Sequence, residues 1–136
     1  MEIYNIPYKH TASFSKLTID YLNKDEKLKP FVNYFPSLEN FDKQINEKKN
    51  HTINREVLVE VLEEQNANID LSDISMQNIK LLKSKDTFTI TTGHQLCLFT
   101  GPLYCIYKII SAINLAEQLK EKYPKKNFVP IFWMAS

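Results

Sequence analysis

Only two glycines, Gly93 and Gly101, occur in 136 residues, and both fall in one stretch, TFTITTGHQLCLFTGPLYCIYKIIS, from Thr87 to Ser111. Ordinary usage, roughly 7%, would scatter about nine or ten over such a chain. Glycine withheld elsewhere and placed twice in one loop marks backbone geometry that other residues resist. Before the loop TFTIT alternates as a strand does, and after it PLYCIYKIISAINLAEQL repeats at helical spacing. The stretch reads as strand, glycine-bounded loop, helix. In open α/β folds this arrangement binds ligands, at the carboxyl end of a strand and the amino end of a helix.

The part before it has a different texture. After an extended lead-in over residues 1–10, Phe14, Leu17, Tyr21 and Leu22 stand near helical spacing, and Pro30 and Pro36 punctuate the next segment. Ser37 is positioned to cap a helix carrying Leu38, Phe41 and Ile45. Thr52 or Asn54 opens another through Gln65, with Val57, Leu58, Val61 and Leu62 as its buried face. Asp70 or Ser72 caps a fourth through Leu82, with Ile74, Ile79 and Leu82 inward. Residues 1–84 are therefore expected to form a helical segment and 85–136 the start of an α/β core, the texture changing over Lys83 to Asp86.

In the second part Phe88 and Ile90 point one way, and Thr87, Thr89 and Thr91 the other. Pro102 suits the first position of a helix. That helix is apolar on most sides until Ala116, which predicts a deeply buried first half. It ends before Pro124, with Lys120 and Lys122 at the negative end of its dipole. FVPIFWM is a nearly continuous apolar run, as expected of a parallel strand buried on both faces. The fold class is thus α/β: helices, then one βαβ unit of a parallel sheet, right-handed by the usual rule. Two parallel strands alone leave apolar faces uncovered. The chain is accordingly expected to be the front part of a longer protein, with a ligand crevice just past Trp133 and Met134.

Composition removes several classes. A net charge of +1 with no basic stripe argues against nucleic acid. MEIYNIPYKH has no secretory pattern, and the most apolar window, Leu103 to Ile113, is short and holds Lys108 and Ser111, so no membrane span is expected. Cys97 and Cys105 match no zinc spacing, and two free thiols fit a reducing cytoplasm.

Chemistry-bearing side chains gather in the glycine loop. Gly93 lets the backbone turn and show amides to an anion. His94 reads either as a phosphate donor or general acid, or as a surface residue; Gln95 has an amide that fixes a polar ligand. Thr100, at Gly101-Pro102, reads both as a helix cap and as an anion contact. The segment is neither a Walker loop nor GxGxxG. Lys108 is the sole charge in an apolar helical run; it reaches back over Tyr104 toward the loop, or snorkels to water. Tyr104 and Tyr107 read as core or ligand contacts, and Trp133 as core or a pocket wall. Cys97 and His94 supply only two metal donors, short of a site, so no metal is expected. His10 and His51, in polar joints, read as surface residues.

TTGHQLCLFTGPLYCIYKIISAINLAEQL followed by VPIFWMAS resembles the bacillithiol biosynthesis family of cysteine-adding enzymes, BshC. The family's TGQQ-like turn corresponds to Thr92 to Gln95. Its TGPLY segment with a helical lysine corresponds to Thr100 to Tyr104 with Lys108, and its VPVFW strand to Val129 to Trp133. Two departures stand out: His94 replaces the first glutamine of the turn, and Cys97 stands where glycine is common. The resemblance implies a Rossmann-like core and a ligase that joins cysteine to glucosaminyl-malate in a bacterial cytoplasm, as a homodimer when full length. In a synthetase-like scheme ATP or ADP binds there, His94 and Lys108 act in catalysis, and Thr92, Gly93, Gln95, Thr100, Gly101, Pro102, Tyr104 and Trp133 hold substrate or anion. The family's acidic, histidine-containing stretch, later strands and coiled coil are missing, which implies that this fragment alone is inactive. A non-catalytic nucleotide- or partner-binding α/β module is the alternative, and a purely structural fragment the third.

Overall fold

The structure, a computed structural model, describes residues 2–99 and 101–135. It falls into two compact units, residues 1–48 and 49–136.

The first unit is short helices separated by stops. In α1 (Lys16–Leu22) the Ser15 hydroxyl accepts from the Thr18 amide at 3.2 Å. The helical spacing after Ser13 does not run on, because Lys24 turns left-handed at φ 57° and ends α1. A 3-10 helix, Glu26–Phe31, follows and carries Pro30. The Ser37 side chain accepts from the Asn40 amide at 3.3 Å, one turn before α2 (Phe41–Lys48), on which Ile45 is buried.

The second unit holds α3 (Arg55–Gln65), α4 (Asp73–Leu81), strand β1 (Thr87–Gln95), α5 (Leu103–Lys122) and strand β2 (Asn127–Ala135). The change from helices to strands near residue 85 thus falls inside this unit. Asn54 and Ser72 cap α3 and α4, accepting the Val57 and Ser75 amides at 3.3 Å each. The strands are parallel, in register from Thr87 beside Asn127 to Gln95 beside Ala135, and α5 is the crossover between them. The α/β class and the βαβ order are as expected.

Period two along the strands assigns the faces. Val129 joins Val59 of α3 and Leu82 after α4 in a buried cluster, with Leu62, Ile79 and Ile131 against it. Phe128 points to the other face, beside Phe88 and Tyr123 at the end of α5. The amino half of β2 is therefore covered on both sides.

Burial differs from expectation at three places. On α3 the inward residue is Val59, with Leu62 beside it, while Val57, Leu58 and Val61 are exposed. Ile74 of α4 is 71% exposed, because Ile79 and Leu82 make the contacts to α3 and β2. The first half of α5 is not deeply buried: its inward line is Cys105, Ala112, Ala116 and Leu119, with Leu103, Tyr107 and Ile110 outward. The second strand is likewise covered only from Phe128 to Ile131, and Trp133 and Met134 are about two-thirds exposed, at 66% and 64%. Small residues on the inner line let α5 approach the sheet, while its large side chains stand off it.

Polar contacts pin the amino end of the sheet. The Arg55 guanidinium donates to the carbonyls of Leu82 at 2.8 Å and Thr87 at 3.0 Å. The buried Thr87 hydroxyl donates to Leu81 O at 2.5 Å. Lys126 pairs with Asp86 at 2.5 Å, and Lys120 ties down the α5–β2 turn through Pro124 O, Lys126 O and Asn127 Oδ1. These fix which ends of β1, α5 and β2 meet at the opposite pole.

Candidate functional site

At that pole the two glycines do different work. Gly93 does not turn: it lies within β1, opposite Trp133, and its φ is not positive. Its lack of a side chain serves close approach, since a Cβ there would stand 2.6 Å from the Trp133 carbonyl oxygen. The bend belongs to Gly101, at φ +68°, whose amide donates to Leu98 O at 3.0 Å. Neither glycine is therefore a turn that presents a free amide to an anion, contrary to the expectation from spacing. Thr100, expected as cap or anion contact, lies outside the described residues. Pro102 is the residue before the first turn of α5, and its missing N–H costs nothing there.

β1 continues through His94 and Gln95, which rigidifies a histidine expected on a loop. The His94 ring lies on the α5 side, 5.2 Å from the Tyr104 ring, with Nε2 2.6 Å from the Tyr104 hydroxyl. Nδ1 lies 2.8 Å from the Gln95 carbonyl oxygen, which only accepts, so Nδ1 carries the proton and Nε2 accepts from Tyr104. The Cys97 sulfur is 3.0 Å from Nδ1 and 3.1 Å from Gln95 O.

Lys108, half-buried on α5, leans toward the helix's amino end, and its ammonium donates to the Gly93 carbonyl oxygen. A charge on an apolar helix thus finds a partner instead of water. Beside this group Gln95, Cys97, Cys105, Ile109, Phe132 and Met134 help to line a cavity of about 280 Å³.

The structure thus brings His94, Gln95, Tyr104 and Lys108 to one end, with half-buried Thr92 on the same strand. It leaves Trp133 exposed on the opposite face of the sheet. From Thr87 to Ala116 the chain has no Asp or Glu, so the strand, loop and helix start that build this end supply donors and a cation but no carboxylate of their own. The amide of Cys105 donates to Pro102 O at 2.8 Å, whereas those of Leu103 and Tyr104 have no acceptor within α5, which suits a phosphate or carboxylate. Among the described residues no three His, Cys, Asp or Glu side chains converge as metal ligands, and no helix is long and apolar enough to cross a membrane. Spacing placed Cys97 three residues after His94 but gave no sign that the two side chains meet. It gave no sign either that Arg55 would pin the far end of the sheet.

Residues 1–136 match the family described as bacillithiol biosynthesis BshC, N-terminal Rossmann-like domain. The chain is 54% identical over 134 residues to the protein named "Putative cysteine ligase BshC" of Flavobacterium psychrophilum, and 56% identical over 135 residues to its namesake of Flavobacterium johnsoniae. Each match covers 96% of this chain and 25% of the relative. The namesake of Bacillus cereus is 34% identical over 116 residues, 85% of this chain and 21% of the relative. The chain spans about a quarter of the length of the curated relatives it matches.

Proposed function

The chain belongs to the bacillithiol biosynthesis BshC family as its N-terminal Rossmann-like domain, and from that membership we propose that it is the amino-terminal part of a ligase joining cysteine to glucosaminyl-malate through an amide bond. The observation that carries this reading is the meeting of His94, Tyr104 and Lys108 with the amino end of α5, beside the carboxyl ends of two parallel strands. Crevices at that end of an open sheet hold ligands in many α/β enzymes.

Amide formation needs the carboxylate of cysteine activated, and ATP supplies that activation when bound. The donor set fits a polyphosphate: a lysine, a histidine, a phenol and helix-terminal amides, drawn from a stretch without Asp or Glu. Lys108 and the amides of Leu103 and Tyr104 would hold phosphate or carboxylate oxygens. Lys108, tethered to Gly93 O, keeps its charge at the strand end and offsets negative charge as it develops. His94 is oriented from both nitrogens and takes up a proton at Nε2, where Tyr104 stands, before giving it back. Thr92, Gln95, Gly101 and Pro102 complete the binding wall, and Trp133 meets substrate from the far face.

Cysteine and ATP as substrates place the reaction in the cytoplasm. The 136 residues alone are expected to bind ligand and not to ligate. The test uses the full-length polypeptide that carries this segment, with cysteine, glucosaminyl-malate and ATP, and reads the product by mass spectrometry. His94→Ala and Lys108→Ala should each lower the rate by about tenfold or more. Unchanged rate and unchanged nucleotide binding in both would remove this reading. Nucleotide binding without any product in the parent would favour the non-catalytic module.

A further inference from the structure

The contact between Cys97 and His94 is not used by ligation. Cys97 is exposed, and its sulfur lies 3.0 Å from His94 Nδ1. The other ring nitrogen is 2.6 Å from the Tyr104 hydroxyl. A nucleophile, a base and a group that orients the base therefore stand in hydrogen-bond series, the arrangement that activates thiols. Gly101 makes it possible, since a Cβ on residue 101 would sit 2.8 Å from the Cys97 sulfur. The other thiol, Cys105, is buried and serves as an internal control, although both line the same cavity of about 280 Å³.

We propose that Cys97 is a site of thiol–disulfide exchange with low-molecular-weight disulfides, with His94 as its proton partner and Tyr104 as a positioning residue. The resting ring carries its proton on Nδ1; exchange with water moves that proton to Nε2, which then donates to the Tyr104 oxygen, and the freed Nδ1 takes the thiol proton directly. The imidazolium then donates from Nδ1 to the thiolate and to Gln95 O, and from Nε2 to Tyr104. The thiolate attacks one sulfur of the small disulfide. A new S–S bond to Cys97 forms, the S–S bond of the reagent breaks, and the departing thiolate takes the proton from His94. One protein thiol and one small disulfide become a mixed disulfide and a small thiol, with the disulfide as oxidant. The adduct would sit beside His94 and Gln95 and close that end to other ligands. The exchange itself stands on the Cys97–His94–Tyr104 geometry and does not depend on ligation.

The full-length polypeptide that carries this segment is treated with oxidised glutathione, and adducts on Cys97 and Cys105 are followed by peptide mass mapping with time. An adduct on Cys97 is expected, forming well before any on Cys105. His94→Gln should slow it by about tenfold and Tyr104→Phe by a few-fold, with the Cys97-to-Cys105 selectivity falling while circular dichroism stays that of the parent. Cys97→Ser should take no early adduct in this segment. If His94→Gln does not fold, Tyr104→Phe alone decides. No adduct on Cys97, prior reaction of Cys105, or a parental rate in the folded variants would overturn the proposal.

Discussion

Gly93 and Trp133 face each other across the parallel strands so closely that a Cβ on residue 93 would stand 2.6 Å from the Trp133 carbonyl oxygen and 3.1 Å from its Cβ. Backbone on one side of such a contact cannot swing away as a side chain can. Gly93→Ala must therefore spread the strands at the row just before His94. The expected loss is about 1–3 kcal/mol, read from the midpoint of urea unfolding at unchanged slope. A variant as stable as the parent would mean that the two strands separate freely at this end.

Gly101 is constrained twice. Its φ is +68°, and an added Cβ would meet the Cys97 Cβ at 2.7 Å as well as its sulfur. Gly101→Ala is expected to cost about 1–3 kcal/mol, the conformational part alone being about 1 kcal/mol. Removing the Cys97 side chain in the same molecule, as Cys97→Gly, relieves the steric part and leaves the conformational part. Unfolding of the four members of this cycle should give a coupling of about 0.5–2 kcal/mol. Additive losses would show that the loop accommodates both side chains.

These two glycines also show where sequence reasoning reaches its limit. Positive φ and close backbone approach both select glycine, and spacing does not separate them. Gly101, beside Pro102, was identifiable as a bend; Gly93 followed an alternating run and looked like its end, although the strand continues two residues beyond it. Caps were readable to within two residues because they are local: of Thr52 or Asn54, and of Asp70 or Ser72, the structure uses Asn54 and Ser72 to begin α3 and α4. The end of α5 at Lys122, before Pro124, was readable for the same reason. The buried side of α3 was not. REVLVEVL carries apolar residues at 57, 58, 59, 61 and 62, too many for periodicity to choose among. Partners chosen elsewhere in the chain, Leu82 and Val129, select Val59. The neighbourhood of the candidate site, His94 to Lys108, was legible, but its internal hydrogen bonds depend on which face of β1 each residue takes.

Arg55 is the clearest residue that sequence alone passed over. Its two nitrogens satisfy the Leu82 and Thr87 carbonyls at 2.8 and 3.0 Å, joining α3, the end of α4 and the start of β1. Hydrogen bonds from a charged donor contribute about 1.5–3 kcal/mol, and leaving a half-buried carbonyl unpaired adds to the loss. Arg55→Met keeps most of the stem and removes the donors. We expect about 2–3 kcal/mol of destabilisation by chemical unfolding. Hydrogen exchange should rise first at the amino end of β1. Uniform loosening across the sheet would argue against a local staple.

The Asp86–Lys126 pair gives a pH signature. The hydrogen bond from Lys126 is the main influence that holds the Asp86 carboxyl below the ordinary carboxylate range, and the same bond raises the Lys126 ammonium above the ordinary lysine value. A depressed carboxylate contributes stability above its unfolded pKa and loses it as pH falls through the folded value. A raised ammonium contributes fully below its unfolded pKa and loses it as pH rises through the folded value. The pair is thus intact across neutral pH and fails at both extremes. In Asp86→Asn the thermal midpoint should decline less steeply than the parent's on the acid side, with the difference between the two shrinking toward low pH. A parallel acid limb in both proteins would show that this pair does not couple to folding.

Lys108 separates binding from scaffolding. Its ammonium is engaged by Gly93 O at the end of the strand, and the stem lies along an otherwise apolar stretch of α5. Lys108→Met keeps the stem and removes the charge. One carbonyl loses one charged donor, but the cost of keeping a half-buried ammonium out of water is relieved at the same time, so the net change in folding stability should stay within about 1.5 kcal/mol. An anion that uses this ammonium loses a charge-assisted hydrogen bond, which is worth about 1.5–3 kcal/mol or roughly ten- to a hundredfold in affinity. Calorimetric titration of ADP and of malate into parent and variant measures the second quantity, and urea unfolding the first. Weaker anion binding at near-parental stability would identify Lys108 as a ligand group. Equal affinity with a large loss of stability would make it a strap that only closes the helix onto the strand.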